Sequence, residues 1–460
     1  MNNEQSFFRH KEAIEAELKN DLSKIRVSNH YLNDIDIKMK LDKLLKWLRE
    51  TPKITTIRVN TLLSNPDAVI SHLKNKIECL PKISTYPSLP ELIVVANRED
   101  LAKDKLSNTS EQLHQIIVDE SCGAAVLRGS HIFAPGVMGL TSGAKVGDKV
   151  EVFADVYGRC KKGFAKKYEN NEKVFLGYGI LQKSRNEIFF EDNKCKGIAV
   201  LMNETTSGLP QLGNESLLEG SGLLQNLPSI ICSRILDPQP GEIVLDMCAA
   251  PGNKTTHLSA LMKNEGIIIA MDKIKSKITK LQNNCDTFGC KNIKIFCYDA
   301  TKAADLEKNS STNLMDGPPF QKETFKRILL DGPCSVLGKR PQLFNKISLN
   351  ELRSFTSLQR KLFAAAIELL EPGGFLVYST CTITISENEG IVAWALKKYP
   401  GLQLISARKK LNSLGLDCFP ISQGYCIDDL PEEKASCLLR FGLESDTVGF
   451  FISLFTKKHP

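Results

Sequence analysis

Residues 244–256 read Val-Leu-Asp-Met-Cys-Ala-Ala-Pro-Gly-Asn-Lys-Thr-Thr, and no other stretch narrows the choice of fold as far. The apolar run 243–247 predicts a buried strand, a small-residue loop carrying Pro-Gly follows, and 255–262 opens a helix. In an open α/β sheet such a turn lies at the carboxyl edge of the strands, where backbone N–H groups and a helix N-terminus can hold a polar ligand. Ala249, Ala250 and Gly252 lack bulk, so a ligand can approach the backbone closely. The loop is not a phosphate-binding P-loop, because Cys248 and Asn253 stand where that loop needs its two glycines. The dinucleotide pattern Gly-x-Gly-x-x-Gly is absent from it as well.

Beyond this turn, apolar runs at 266–272, 293–299, 328–331, 375–381 and 448–455 predict strands, and 274–288, 352–370 and 387–398 predict helices. Such alternation means a mostly parallel sheet covered on both faces. The tract 411–444 is irregular, and no element is assigned to it. A chain of 460 residues exceeds the size of one growing core, so two or three domains are expected.

Upstream, Leu41, Leu44, Leu45 and Leu48 with Trp47 mark an amphipathic helix that Pro52 ends. Residues 54–62 alternate as a strand, with Ile57 and Val59 on one face and Thr56, Arg58 and Asn60 on the other. A short helix at 69–77 and a strand at 92–95 complete a small α+β unit within 1–112, and the polar stretch 98–110 reads as a linker. From 113 to 203 the texture changes to short strands punctuated by glycines, among them Ala124-Ala125-Val126-Leu127, Ile132-Phe133, 149–153 and 173–177. The remainder, 204–460, carries the alternating sheet.

Hydrophobic residues make up 42% and charged residues 25% of the chain, which is ordinary for a soluble globular protein. The net charge of +7 permits an anionic partner without demanding one. Fourteen cysteines are scattered with no Cys-x-x-Cys pair and no His-rich spacing, so no metal site is expected. Residues 1–9 do not read as a secretory leader, and no apolar run approaches membrane-spanning length. Reduced thiols are therefore expected, in the cytoplasm, with a nuclear or organellar compartment as alternatives.

Acids punctuate the strand ends: Asp272 closes one run, Asp299 follows the next and Asp331 closes a third. An acid there often caps the following helix, but three in successive units favour a binding crevice, and one strand after the glycine loop a carboxylate can accept from ribose hydroxyls. Two cysteines sit at further strand ends, in Asp331-Gly332-Pro333-Cys334 and Ser379-Thr380-Cys381-Thr382. The 246–255 loop resembles the cofactor loop of S-adenosylmethionine-dependent RNA methyltransferases that read Asp-x-Cys-Ala-Ala-Pro-Gly-Gly-Lys-Thr. Beside a sulfonium methyl donor, paired thiols suit one reaction. Cytosine C5 is a poor nucleophile, and a thiolate adding to C6 makes C5 enamine-like and able to take a methyl group. A free thiol has a pKa of about 8.5, so the site must lower it or supply a base, and Lys254 or a backbone dipole can help.

Taken together, the three motifs, Leu224-Gln225-Asn226 and Thr56-Ile57-Arg58-Val59-Asn60-Thr61 resemble the NSUN (Sun-domain, RsmB-like) RNA cytosine-C5 methyltransferase family over nearly the whole chain. Residues 122–137 and the turn Lys145-Val146-Gly147-Asp148-Lys149-Val150 resemble the PUA fold, a small RNA-binding β-barrel. That layout is similar to the PUA-containing tRNA branch of the family. The resemblance implies a Rossmann-like class I methyltransferase domain with an RRM-like N-terminal part and an inserted PUA domain. It implies Cys381 as nucleophile, Cys334 assisting release, Asp331 on the cytosine edge and Lys254 beside it. Cys248, Ala249, Ala250, Pro251, Gly252, Asn253 and Lys254, with Asp272, Asp299 and Asp331, would hold S-adenosyl-L-methionine. Its implied target is a tRNA acceptor-stem cytosine near the CCA end, with messenger RNA as a second candidate substrate.

Arg128, Arg159, Lys161 and Lys162 are candidate RNA contacts, because clustered cations release counterions from a polynucleotide. Lys166 and Lys167 extend this acid-free run. Asn253 replaces the family's second glycine, Gly332 its alanine, and Val336 stands where a glycine is usual. Three alternatives stay open: a catalytically silent RNA-binding protein, a DNA methyltransferase, and the reverse thiol assignment with Cys334 as nucleophile.

Overall fold

The computed structural model describes residues 7–28, 30–77, 82–96, 113–190, 196–305, 314–445 and 447–459. The stretch 98–110, expected as a linker, lies outside the described residues. Helices α1 (Lys11–Leu22) and α2 (Asp34–Arg49) open the chain, α2 with Asn33 accepting from the Asp36 N–H as its N-cap. Their apolar faces, Ile14, Leu18, Leu41 and Leu48, join the core of the large C-terminal sheet.

A small antiparallel sheet follows: β1 (Ile54–Val59), β2 (Ile83–Tyr86) and β3 (Leu89–Ala96), with α3 (Pro66–Lys76) on one face. Its fourth strand comes from much later in the chain, so everything between is an insertion. The inserted module contains β4 (His114–Asp119), α4 (Glu120–Leu127), β5 (Ile132–Phe133), β6 (Val137–Leu140), β7 (Lys149–Asp155), β8 (Val174–Leu181), α5 (Arg185–Phe189) and β9 (Ile198–Thr205). Its six-stranded sheet runs β5-β9-β8-β7-β4-β6, antiparallel except for β4 beside β7. β10 (Gly222–Leu224) then returns to β1 and closes the small sheet in the order β10-β1-β3-β2.

One expectation fails here. Ala124-Ala125-Val126-Leu127 is not a strand but the second half of α4. Asp119 caps that helix by accepting from the Cys122 N–H at 2.8 Å, and Glu120 occupies its first turn. A four-residue apolar run carries no period, and the cap five residues upstream of Ala124 decides it.

The large domain supplies α6 (Leu227–Leu236), β11 (Ile243–Asp246), α7 (Asn253–Leu261), β12 (Ile267–Asp272), α8 (Lys275–Thr287), β13 (Ile293–Cys297), β14 (Phe325–Asp331), α9 (Leu349–Leu369) and β15 (Leu370–Thr380). After these come α10 (Glu389–Lys398), β16 (Leu402–Ile405), α11 (Ala407–Ser413), α12 (Glu432–Ala435), β17 (Leu439–Phe441) and β18 (Phe450–Lys457). The sheet order is β13-β12-β11-β14-β15-β18-β16, with β17 also on β18. The first five strands are parallel, and β18 enters antiparallel to β15 and β16. This is a Rossmann-like mixed α/β sheet with apolar layers on both faces. The tract 411–444, left unassigned from sequence, contributes α12, β17 and the end of α11.

Strand order reverses between β11 and β14, which opens a crevice at the carboxyl edge. The polar face of β1 meets this domain rather than solvent. Arg58 is fully buried, donating from Nε to Gln225 Oε1 at 2.7 Å and from Nη2 to Thr256 Oγ1 at 2.8 Å in α7. Glu91 accepts from Arg234 through both oxygens at 2.5 Å and lies 3.3 Å from His257 Nε2. Burial pushes His257 down to about 4, so it is neutral at physiological pH. The small sheet is thereby pinned to the helix that follows the 244–256 loop.

Candidate active site

The loop after β11 owes its shape to small residues. Ala249 N–H donates to Met271 O and Gly252 N–H to Ala249 O, each at 2.8 Å, so the chain folds back across the end of β12. Gly252 takes φ of +105°, and a Cβ there would lie 2.7 Å from Leu281 Cδ1. Asn253 is the first residue of α7 and needs no left-handed angle, so its replacement of glycine carries no backbone cost. Beneath the loop Thr255 Oγ1 donates to Asp246 Oδ2 at 2.8 Å, while Asp246 Oδ1 is buried and finds no donor in good hydrogen-bond geometry among the described residues. Burial pushes Asp246 up to about 7.

Asp272 and Asp299 stand at the same edge, one and two strands along. Asp272 accepts from the Ile274 N–H at 2.9 Å. Asp299 accepts from Lys273 Nζ at 2.9 Å and from the Thr301 N–H and hydroxyl at 3.1 and 2.7 Å. The Lys273 hydrogen bond, reinforced by Thr301, pulls Asp299 down to about 2. A loop without bulk, two strand-end acceptors and one orphaned buried carboxylate oxygen fit an amino-acid-bearing nucleoside such as S-adenosylmethionine.

Across the crevice, parallel register sets Asp331 of β14 beside Ser379 of β15. Asp331 accepts from Ser379 Oγ and from Lys254 Nζ, both at 2.6 Å. Burial works against the Lys254 charge, but Asp331 overrides it and keeps the ammonium. One turn past these strands the two cysteines converge, Cys334 Sγ 3.4 Å from Cys381 Sγ. Cys334 is 6% exposed and Cys381 half-buried. The hydrogen bond from Cys334 lowers the Cys381 thiol below its ordinary value, against burial and with Lys254 helping. The same bond and burial hold Cys334 well above its ordinary value. Of the two, Cys381 is therefore the readier thiolate and Cys334 the neutral donor.

The departures at 332 and 336 differ in consequence. A Cβ on Gly332 would make only ordinary contacts, the nearest Leu362 Cδ1 at 3.6 Å, so alanine and glycine are interchangeable there. Val336 sits at φ +57°, a strained angle for a branched residue, and is 44% exposed. The tight turn survives. Val336→Gly is expected to raise the unfolding free energy by roughly 1 kcal/mol, because the left-handed penalty exceeds glycine's extra chain entropy. Denaturant unfolding of the two proteins checks it.

The candidate RNA contacts separate into two places. Arg128 lines a cavity of about 260 Å³ with Gln225, Asn226, Ser229 and Asn253, which brings the inserted module to the mouth of the cofactor loop. Arg159, Lys161 and Lys162 lie exposed on the loop after β7. There Arg159 pairs with Glu172, and Lys162 Nζ donates to Pro135 O at 3.0 Å. Sequence reading missed Ser379 as the third member of the Lys254–Asp331 group. It also missed Glu387, a buried acid behind the thiols whose only signal was its place in Ser-Glu-Asn-Glu.

Residues 233–432 match the family model described as 16S rRNA methyltransferase RsmB/F. The chain is 41% identical to the human tRNA (cytosine(72)-C(5))-methyltransferase NSUN6, over 91% of each chain. It is 32% identical to the tRNA (cytosine(72)-C(5))-methyltransferase of Pyrococcus horikoshii, over 86% of this chain and 91% of that one. A crystal structure of NSun6 from Pyrococcus horikoshii with SFG matches with a TM-score of 0.71 and 29% identity, covering 99% of this chain and 100% of that one. The fold is that of class I methyltransferases. Its sequence and architecture agree, and the chain belongs to the NSUN (Sun-domain, RsmB/F-like) family of RNA cytosine-C5 methyltransferases.

Proposed function

We propose that this protein methylates C5 of a tRNA cytosine, position 72 of the acceptor stem beside the CCA end, through a covalent bond from Cys381 to C6. The observation that carries the reading is the 3.4 Å thiol pair next to Lys254 and Asp331, on the edge that also holds the 248–254 loop. The human NSUN6 relative and its Pyrococcus counterpart are both named for cytosine 72 of tRNA, which supports the target.

S-adenosylmethionine, when bound, supplies an electrophilic methyl group; Cys248 to Lys254 would hold it, with Asp272 and Asp299 at its nucleoside end. Cys381 as thiolate adds to C6, and the C5=C6 electron pair moves to C5, which takes the methyl group. Asp331 accepts from the cytosine amino group, and Lys254 steadies that carboxylate. Once the Cys381 sulfur is bonded to carbon, its negative charge no longer holds the Cys334 proton; Cys334 gives that proton to solvent, and its thiolate then takes the C5 proton, whose bonding pair re-forms C5=C6. The C6–S bond then breaks and returns its electrons to Cys381. Reaching C5 and C6 in a paired stem requires extruding the base, at a cost of a few kcal/mol.

The inserted six-stranded module reads as a PUA-like RNA-binding domain and the small sheet as RRM-like. The Lys161–Lys162 loop would grip phosphates and set the register without reading the base. Replacing both lysines by alanine is expected to weaken tRNA binding and to reduce the salt slope by about one to two, leaving methyl-donor affinity unchanged. Binding isotherms at several salt concentrations decide this, and an unchanged slope removes the assignment. The free cysteines suit a reducing compartment, the cytoplasm in this reading.

Incubation with labelled S-adenosylmethionine and total tRNA, followed by bisulfite mapping, tests the function as a whole. Label at cytosine 72 is expected. No transfer to any RNA across a range of pH leaves the silent RNA-binding alternative, and transfer to duplex DNA overturns the substrate.

A further inference from the structure

Behind the thiols lies a carboxylate that the reaction as described does not use. Glu387 is 1% exposed and pairs with no Lys, Arg or His among the described residues. A buried acid without a cation is costly unless donors satisfy it. Here four donors do: the Ser335 N–H at 3.0 Å and Gln359 Nε2 at 2.9 Å reach Oε2, while Ser335 Oγ at 2.5 Å and Thr384 Oγ1 at 2.9 Å reach Oε1. Burial pushes Glu387 above the ordinary carboxylate value and the four hydrogen bonds pull it back; on Oε2 both partners, the Ser335 N–H and the Gln359 amide NH₂, can only donate, which suits the ionised form.

The partners are the neighbours of the two cysteines. Ser335 follows Cys334 in the chain, and Thr382 follows Cys381. Because the Ser335 hydroxyl proton goes to Glu387, Thr382 Oγ1 must donate to Ser335 Oγ, 2.7 Å away. Gln359 Nε2 also donates to Pro333 O at 3.0 Å. From the other side, Asp21 of α1 accepts from the Ile385 and Ser386 N–H groups at 2.8 and 3.1 Å and from Ser386 Oγ at 2.5 Å. The N-terminal helix thus braces the segment that carries Glu387.

We propose that Glu387 is a positioning residue for the reaction, an ionised buried carboxylate that ties the Cys334 loop to the Cys381 loop and keeps the Cys334 thiol donating to the Cys381 sulfur. The inference rests on the reading that these two cysteines carry the chemistry. Its charge acts in the same sense as its hydrogen bonds, because a negative group behind Cys334 disfavours a thiolate there. The other groups facing the pair are Lys254, Lys339 and Asp331 on the Cys381 side and the buried Tyr378 phenol beneath Cys334.

The test is the pH dependence of Cys381 alkylation by iodoacetamide, mapped by peptide mass spectrometry on the full chain without RNA. In Glu387→Gln the amide NH₂ confronts donors, the loops separate and Cys381 loses its hydrogen bond. Its alkylation midpoint is expected to rise by about one pH unit, the size of one hydrogen bond to a charged acceptor. The exposed Cys297 and Cys418 keep their midpoints, and kcat falls about tenfold with KM for tRNA unchanged. Thr384→Val removes one donor isosterically and should shift the midpoint the same way by less. An unmoved Cys381 midpoint in Glu387→Gln, or in Thr384→Val should the first variant not fold, overturns the proposal, as does an equal shift at Cys297. A wild-type protein that transfers no methyl group refutes the functional reading instead, and the labelling midpoint is independent of that outcome.

Discussion

Cys381→Ala is expected to abolish methyl transfer by at least about 10⁴-fold and to form no RNA adduct, as loss of a nucleophile does in a site whose members act together. Cys334→Ala should behave differently, stalling after methylation and accumulating a protein–RNA complex that survives a denaturing gel. The asymmetry follows from the two environments. Both sulfurs are 3.4 Å apart, yet Cys381 receives a hydrogen bond and lies within reach of the Lys254 charge, whereas Cys334 is buried with Glu387 behind it. The pH profile carries the same sign. Cys381 is lowered, so transfer should persist below the ordinary thiol range and fade as acid protonates it. If instead Cys334→Ala destroys adduct formation and Cys381→Ala traps the complex, the roles are reversed, as in a site whose Pro-Cys sulfur attacks.

Asp331→Asn should lower kcat by about 10²- to 10³-fold, the scale of removing one preorganised group aimed at the reacting ring. Asp331 is the meeting point of three elements: it ends β14, accepts from Ser379 of β15 and holds Lys254 of α7. Asparagine keeps the shape but offers an NH₂ where an acceptor is needed, and it strips Lys254, 12% exposed at its side chain, of its counter-ion. Single-turnover rates with saturating tRNA, set against methyl-donor affinity from calorimetry, separate the two consequences. A variant that loses donor binding but keeps its single-turnover rate would place Asp331 with the cofactor alone.

Much of this site could be read before any coordinates. The strand, loop and helix around 243–262 follow from a local apolar run, small residues and a Pro-Gly turn. Asp272, Asp331 and Cys381 stand out because each follows directly on a buried run. Those signals lie within a few residues of one another. Ala124–Leu127 was misread because its deciding contact, the Asp119 cap, stands outside the run itself. The elements β16, α12 and β17 escaped because short segments against an antiparallel edge carry little period of their own.

From the order of residues alone came the parallel sheet, the edge on which the ligand loop sits and the strand-end places of Asp331, Cys334 and Cys381, since a strand's end and a loop's bulk are local properties; Lys254 beside Asp331 came from the family resemblance. Folding set the two sulfurs 3.4 Å apart with Lys254 on the Cys381 side and Glu387 behind Cys334, buried Arg58 against Gln225 and Thr256, and brought Asp21 and Gln359 to the same segment. These depend on groups separated by tens to hundreds of positions, and a charge, a donor or a dielectric boundary acts through distance in space, which chain spacing does not record.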